Sequence, residues 1–285
     1  MTSPDPGLFG PASVTWRVHA DPTMVVAGLR ALLMQALHPL AMAGVAQNSD
    51  FRTDPWGRLQ RTADYVGVTT YGTSAEAEKL SARIRRIHSH IRGVEPESGE
   101  PYRADDPELL RWIHCCEVGS FLTAYQRGGG PLSAEEADTY LGEQTLSAQL
   151  VGLDPEEVPA TVAELDAYFA AMRPRLRVTA EAREAARFIL LPPMPRLLAV
   201  GTPARPAWAG LATLAFALLP PWARRMYSLP GLPVTDIAAT VAVRGMRTAL
   251  SALPPALRDG PHVRAAQARM EGTDSIRRLP ATRIA

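Results

Sequence analysis

Helix start and stop signals recur along this chain, whereas no stretch alternates apolar and polar residues between the turn residues of a hairpin. The sequence therefore predicts an all-α fold. Asp21–Pro22–Thr23 opens a helix whose apolar positions, Met24, Val25, Leu29, Leu32, Leu33 and Leu37, run until Pro39 interrupts it. The continuation from Leu40 to Gln47 is rich in small residues, Ala41, Ala43, Gly44 and Ala46, which let a helix or a flat ligand approach the backbone. Further helices are predicted over Trp56–Tyr71, over Ser74–Ile91, and from Asp105–Asp106–Pro107 to Tyr125, the last stopped by Gly128–Gly129–Gly130–Pro131. Ser133 with Glu136 and Thr161 with Glu164 have the spacing of capping boxes, and Thr179–Leu190 ends at Pro192–Pro193. An apolar helix near Trp208, a segment from Pro233 to Leu250 and a basic tail after Pro261 follow. The last residues of that tail have little to bury and are expected to fray.

No internal repeat or long low-complexity linker divides the chain, so its 285 residues read as one all-α domain. Its core is expected over residues 20–190, with C-terminal helices over 195–270 packed back onto it; the Pro-rich stretch 192–206 is the best boundary candidate. A net charge of +1 supplies no basic excess for binding nucleic acid. Residues 133–166 are acidic and the chain beyond Met172 is Arg-rich. That basic half reads as a solvated face, with anionic lipid or an acidic partner as the alternative. The opening MTSPDPGLFGP lacks a basic region followed by an apolar run, and the apolar run Ala207–Leu219 is shorter than the roughly 20 residues a membrane-spanning helix needs. The expectation is a cytoplasmic protein without a transmembrane segment, with peripheral membrane contact as the lesser alternative. Cys115 and Cys116 are adjacent on one helix and read as buried small apolar residues.

Helical spacing sorts the histidines. Leu80, Ile84, Ile87 and Ile91 form an apolar stripe; His88 lies on it, four residues after Ile84, while His90 shares the opposite face with Arg83 and Arg86. On the preceding helix Arg58, Arg61 and Thr62 fall at i, i+3 and i+4, with Tyr65 one turn beyond. A guanidinium fork matches carboxylates bidentately, and haem propionates are carboxylates. Two facing helices, one cationic and hydroxylic and one bearing an inward imidazole, are what haem requires: an axial nitrogen and partners for its propionates. Taken alone, an inward histidine and a pair of surface arginines are equally at home without a ligand. His114 also faces inward with Glu117 one turn away, placed to accept its ring proton, as a relay, a second ligand or a structural pair. His38 precedes Pro39 at the helix break and is a pocket candidate; His19 and His262 lie in low-information surroundings and carry no assignment. HExxH, CxxC, paired ExxH and GxSxG motifs do not occur, and the glycines at 128–130 follow a helix rather than a strand, which excludes a dinucleotide loop.

The run LLMQALHPLAMAGVAQNSDFRTDPWGRLQRTADYVGVTTYGT resembles the opening of the oxygenase MpaB family, which includes the catalytic domain of latex-clearing protein, the rubber oxygenase. The similarity continues through RIRRIHSHIRG, PYRADDPELLRWIH and GGPLSAEEADTY to at least Phe188. The resemblance implies a helical fold with a globin-like core binding one haem b (iron protoporphyrin IX) through a proximal histidine. Where latex-clearing protein has Arg-x-x-Lys-Thr, this chain has Arg58-x-x-Arg61-Thr62. By its place downstream of that cluster the iron ligand carries over onto His88, with His114 in reserve. Arg58 and Arg61 are then expected to pair with propionates or polarise the distal side, and Thr62 to hydrogen-bond a distal water. The helices over 24–47 are expected to wall an apolar substrate site. The implied activity is that of a haem-dependent oxygenase using dioxygen on a hydrophobic small molecule. A non-catalytic haem carrier or sensor and a haem-free helical binding protein are the alternatives. No motif locates the distal acidic residue of the rubber-cleaving members, and the expected lack of a secretion signal argues against a polymer substrate.

Overall fold

Two helices, α2 (Met24–Gln35) and α6 (Pro107–Arg127), cross at the centre of the chain's computed structural model, which describes residues 4–194, 201–229 and 231–271. Their contact explains why the sequence is apolar where it is. α6 is buried nearly all round: Trp112 and Cys116 face α2, whereas Cys115, Val118, Leu122 and Tyr125 face the other way. A helix apolar on every side belongs in the middle of a domain. On the α2 side the core is completed by Ala212, Ala215 and Phe216 of α10 (Ala204–Ala217) and by Ala239 and Val243 of α12 (Pro233–Ser251). On the other side α1 (Val14–His19), α7 (Ala134–Leu150) and α8 (Val162–Met172) supply Val18, Tyr140, Leu141 and Leu165. Helices from both ends of the chain contribute to this core, and the all-α class is the one that the helix signals predict.

The break at Pro39 is a bend of 108° between α2 and α3 (Pro39–Asn48), with His38 as the extended residue between them. A proline lacks the N–H that continuing the helix needs. The hairpin of α4 (Pro55–Tyr71) and α5 (Ser74–His88) follows, then β1 (Arg92–Val94) and β2 (Pro101–Arg103), paired antiparallel with Gly93 opposite Tyr102. α9 (Ala180–Leu190) starts at its Thr179 cap, and the short α11 (Pro221–Met226) precedes α12. After α13 (Pro255–Arg258), the expected basic tail instead forms α14 (Pro261–Met270), which buries Ala266 against Trp16 and Tyr71 and lays His262 against Gly67 of α4. The expected fraying end, and residues 195–200 of the Pro-rich junction, lie outside the described residues.

Candidate functional site

Asp54 caps α4 by accepting from the Gly57 N–H at 2.9 Å, and Pro55 takes the first helical position. That start aims Arg58 and Thr62 along one face. Arg58 donates through Nη1 to Thr62 Oγ1 and through Nε to Ser49 Oγ at 3.2 Å, while Thr62 Oγ1 donates to the Arg58 carbonyl at 3.0 Å. Arg58 is half-buried and has no carboxylate partner among the described residues. Burial, then the charge of Arg61, pulls its pKa down. Arg61 is turned away from this group: Asp54 at 3.2 Å and Asp50 at 3.7 Å already neutralise it.

α5 begins with a complete capping box of Thr73 and Glu76. Its apolar stripe is present but incompletely covered: Leu80, Ile84, Ile87 and Ile91 are each only half-buried, and Ala77 and Ser81 are the buried residues of the helix. The cause is the way the hairpin sits. α5 rests on α4 and α7, and α4 rests on α1 and α14, while neither packs closely along α6. His88, the last residue of α5, is half-buried on this stripe, and its ring makes no hydrogen bond among the described residues. Burial and then the charge of Arg58 lower its pKa, which keeps the ring neutral at neutral pH and places it within electrostatic reach of Arg58. His90 points out, as its spacing predicts, with Nδ1 2.6 Å from the Arg86 carbonyl oxygen.

Opposite the hairpin, α6 presents His114 and Glu117. The expected hydrogen bond between them is not formed, and neither has a hydrogen-bond partner among the described residues. Burial drives the pair apart in pKa, His114 down to about 4 and Glu117 up to about 7. The Glu117 carboxylate is felt instead by Tyr65 and Tyr140. Tyr140 OH bonds His19 Nε2 at 3.0 Å and His19 Nδ1 bonds Thr70 Oγ1 at 2.8 Å, so His19, which the sequence left unassigned, belongs to a polar chain behind the site. Ionised Glu117 costs stability here. The penalty is absent below its ordinary value of 4.5, grows with pH, and is complete above about 7. Glu117→Gln is therefore expected to stabilise the cofactor-free protein by roughly 1–3 kcal/mol at pH 8 and by little at pH 5. Urea midpoints at the two pH values measure this, and equal gains at both would remove ionisation as the cause.

His38 is 2% exposed beside the Trp112 ring, 6.2 Å between centroids, and both of its ring nitrogens lack a hydrogen-bond partner. Burial takes its pKa down to about 4. An imidazole with two orphaned nitrogens is an unusual thing to bury. Beyond Arg58 lies a cavity of about 100 Å³ walled by Leu32, Met42, Val45, Phe51 and Phe188, with Arg58 as its one charged lining residue. Residues of the 24–47 segment thus line an apolar cavity, and α9 completes its wall with Ala185, Phe188 and Ile189, which the spacing did not place there. Cys115 is pushed up to about 12 by burial, and burial also raises Cys116 well above the ordinary thiol value, so neither offers a thiolate. Among the described residues no three His, Cys, Asp or Glu side chains gather as a bare metal site. Haem iron makes no such demand, because the porphyrin supplies four nitrogens and the protein only an axial one.

No single helix among the described residues is long and apolar enough to cross a membrane. Comparison with characterised proteins and with solved structures returns no match. Residues 16–252 match the family described as ER-bound oxygenase mpaB/B′/Rubber oxygenase, catalytic domain. With most of its length matched and its arginine–threonine cluster and inward histidine set on facing elements of one helical domain, the chain belongs to the mpaB/rubber oxygenase catalytic-domain family.

Proposed function

We propose that the protein is a haem b-dependent oxygenase that uses dioxygen on a hydrophobic small molecule. The observation that carries the reading is His88: a half-buried imidazole kept neutral, on an apolar stripe that its neighbours cover only in part, within reach of a guanidinium, neither the ring nor the guanidinium having a carboxylate partner among the described residues. These residues fit haem. His88 would hold the iron, and the half-covered stripe of Leu80, Ile84 and Ile87 would lie against the macrocycle. His114 is the reserve ligand, and His38, whose ring nitrogens are orphaned although it does not line the cavity beyond Arg58, would be a second cofactor-side candidate. Since Arg61 is already paired, propionate pairing or polarisation of the distal side falls chiefly to Arg58.

When bound, haem supplies the oxygen activation; the protein controls access, polarity and position. Thr62 commits its hydroxyl hydrogen to the Arg58 carbonyl, so towards the site it acts as an acceptor that steadies the guanidinium or a water. Glu117, near half-protonated at neutral pH, can give or take a proton at its carboxyl oxygens without a large energetic cost. The apolar cavity beyond Arg58 excludes water and would hold the substrate against that charged end.

Expression with a haem precursor, followed by absorption spectroscopy of the purified protein, tests the reading. A Soret band with oxygen uptake in the presence of a reductant and an apolar substrate is expected. A Soret band with no uptake across apolar substrates would make the protein a carrier or sensor, and a folded, colourless protein that takes up no added haemin would overturn haem binding altogether.

A further inference from the structure

The outward face of α12 is not a normal solvated helix face. Val234, Ile237 and Val241 follow at i, i+3 and i+7 and are 64%, 66% and 68% exposed. Between and beyond them the exposed positions Ala238, Ala242, Gly245, Thr248 and Ala249 are uncharged, and Arg244 is the one exposed charge of the helix. Leu229 and Leu232, also exposed, extend the patch onto the connection that enters the helix. The inward face needs no further partner: Ala239 and Val243 are buried in the main core, and Arg247 reaches Asp21 at 2.7 Å. Contiguous exposed apolar surface of this kind marks an interaction site rather than ordinary exterior.

Charge identifies what covers it. From Ala204 to Arg258 the sole acidic residue is Asp236, and Asp236 is turned in to Arg224 at 2.8 Å and Arg127 at 3.5 Å. The exposed charges of α10, α11 and α12 are consequently all positive: Arg205, Arg225 and Arg244. A second copy of the chain would bring arginine edges against arginine edges, which like-charge repulsion disfavours. An anionic bilayer answers both features. Its acyl boundary takes Val234, Ile237 and Val241, and its phosphate headgroups take the guanidiniums.

We propose that α12 and the connection before it dock the protein peripherally on anionic phospholipid membranes, with the apolar face of the helix in the headgroup layer.

Vesicle co-sedimentation of the purified full chain, with or without haem, is the test. Binding is expected to phosphatidylcholine vesicles containing a quarter phosphatidylglycerol, and to weaken as salt rises past about 0.1 M. Arg225→Glu and Arg244→Glu should each weaken binding about fivefold or more, and Ile237→Asp about tenfold or more. All three positions are exposed, so circular dichroism should stay unchanged. Val94→Asp, at an exposed position on the β1–β2 hairpin, should bind as the parent does. Failure to sediment with anionic vesicles overturns the proposal, as does undiminished binding by Ile237→Asp. So does a dimer in light scattering that Ile237→Asp dissolves without any vesicle binding by the parent chain.

Discussion

His88→Ala is expected to leave a folded protein without haem: no Soret band after expression with precursor, and none after titration with haemin. On the proposed reading the effect should be close to complete, because the ring that would bind the iron is gone. Stability of the apoprotein should change by less than about 1 kcal/mol, since His88 is half-buried, ends its helix and makes no hydrogen bond that its removal would orphan. This separation between cofactor loss and stability loss is the diagnostic. A histidine serving only as core packing would show the reverse, a destabilised protein and no spectroscopic consequence. Glycine or imidazole-rescue variants sharpen the test: His88→Gly with added imidazole should regain part of the band, because the free ring can occupy the vacated volume. Retention of the parent spectrum by His88→Ala, with its loss in His114→Ala, would move the ligand to α6.

Why His88 was legible and its surroundings only in part is a matter of what spacing encodes. Residues three and four apart on a helix share a face whatever the rest of the protein does, so the inward His88 and outward His90 follow from the stripe of Leu80, Ile84 and Ile87 alone. Capping residues are similarly local. Ser133 and Glu136 form the full box, as do Thr73 and Glu76 at the start of α5, and Asp106 caps α6 at the predicted place. Thr161 and Glu164 form half of one: Thr161 accepts from the Glu164 N–H, but the Glu164 carboxylate accepts from Ala160 at 2.8 Å, because the preceding backbone presents that N–H instead.

Features that depend on which neighbours a side chain meets were not readable. Arg58 and Arg61 share a helical face by spacing, yet Asp50 and Asp54 from the preceding turn pair with Arg61, while Arg58 donates to Ser49 and Thr62. Glu117 lies one turn from His114 but looks towards Tyr65 and Tyr140. His19 sits on a six-residue helix with no periodicity to orient it, and its partners come from α4 and α7. α14 hid for the same reason. Its buried contact is an alanine, Ala266, and the notch that receives its His262 exists because α4 has glycine at position 67.

Asp236→Ala is the substitution expected to cost the most stability, roughly 2–4 kcal/mol. Arg224 is the reason. Its side chain is 2% exposed and is held by Asp236 in a two-pronged pair, Nη1 to Oδ1 at 2.9 Å and Nη2 to Oδ2 at 2.8 Å. It also donates to the carbonyls of Ala217 and Leu219, closing the end of α10, so the pair fastens α10, α11 and α12 together. Removing the carboxylate leaves a buried cation without compensation. The loss stays at the lower part of the usual range because Asp236 keeps a third of its side chain in water and two carbonyl acceptors remain. Hydrogen bonding from Arg224, against an opposing effect of burial, holds the Asp236 carboxyl below its ordinary value of 3.8. Its contribution is therefore full at neutral pH and disappears as pH falls through the folded value, so parent and variant should converge in strong acid. The double variant Asp236→Ala with Arg224→Met removes the charge along with its partner and should recover much of the loss in urea unfolding. If single and double variants unfold at the same midpoint, packing of α12 rather than the stranded guanidinium sets the cost.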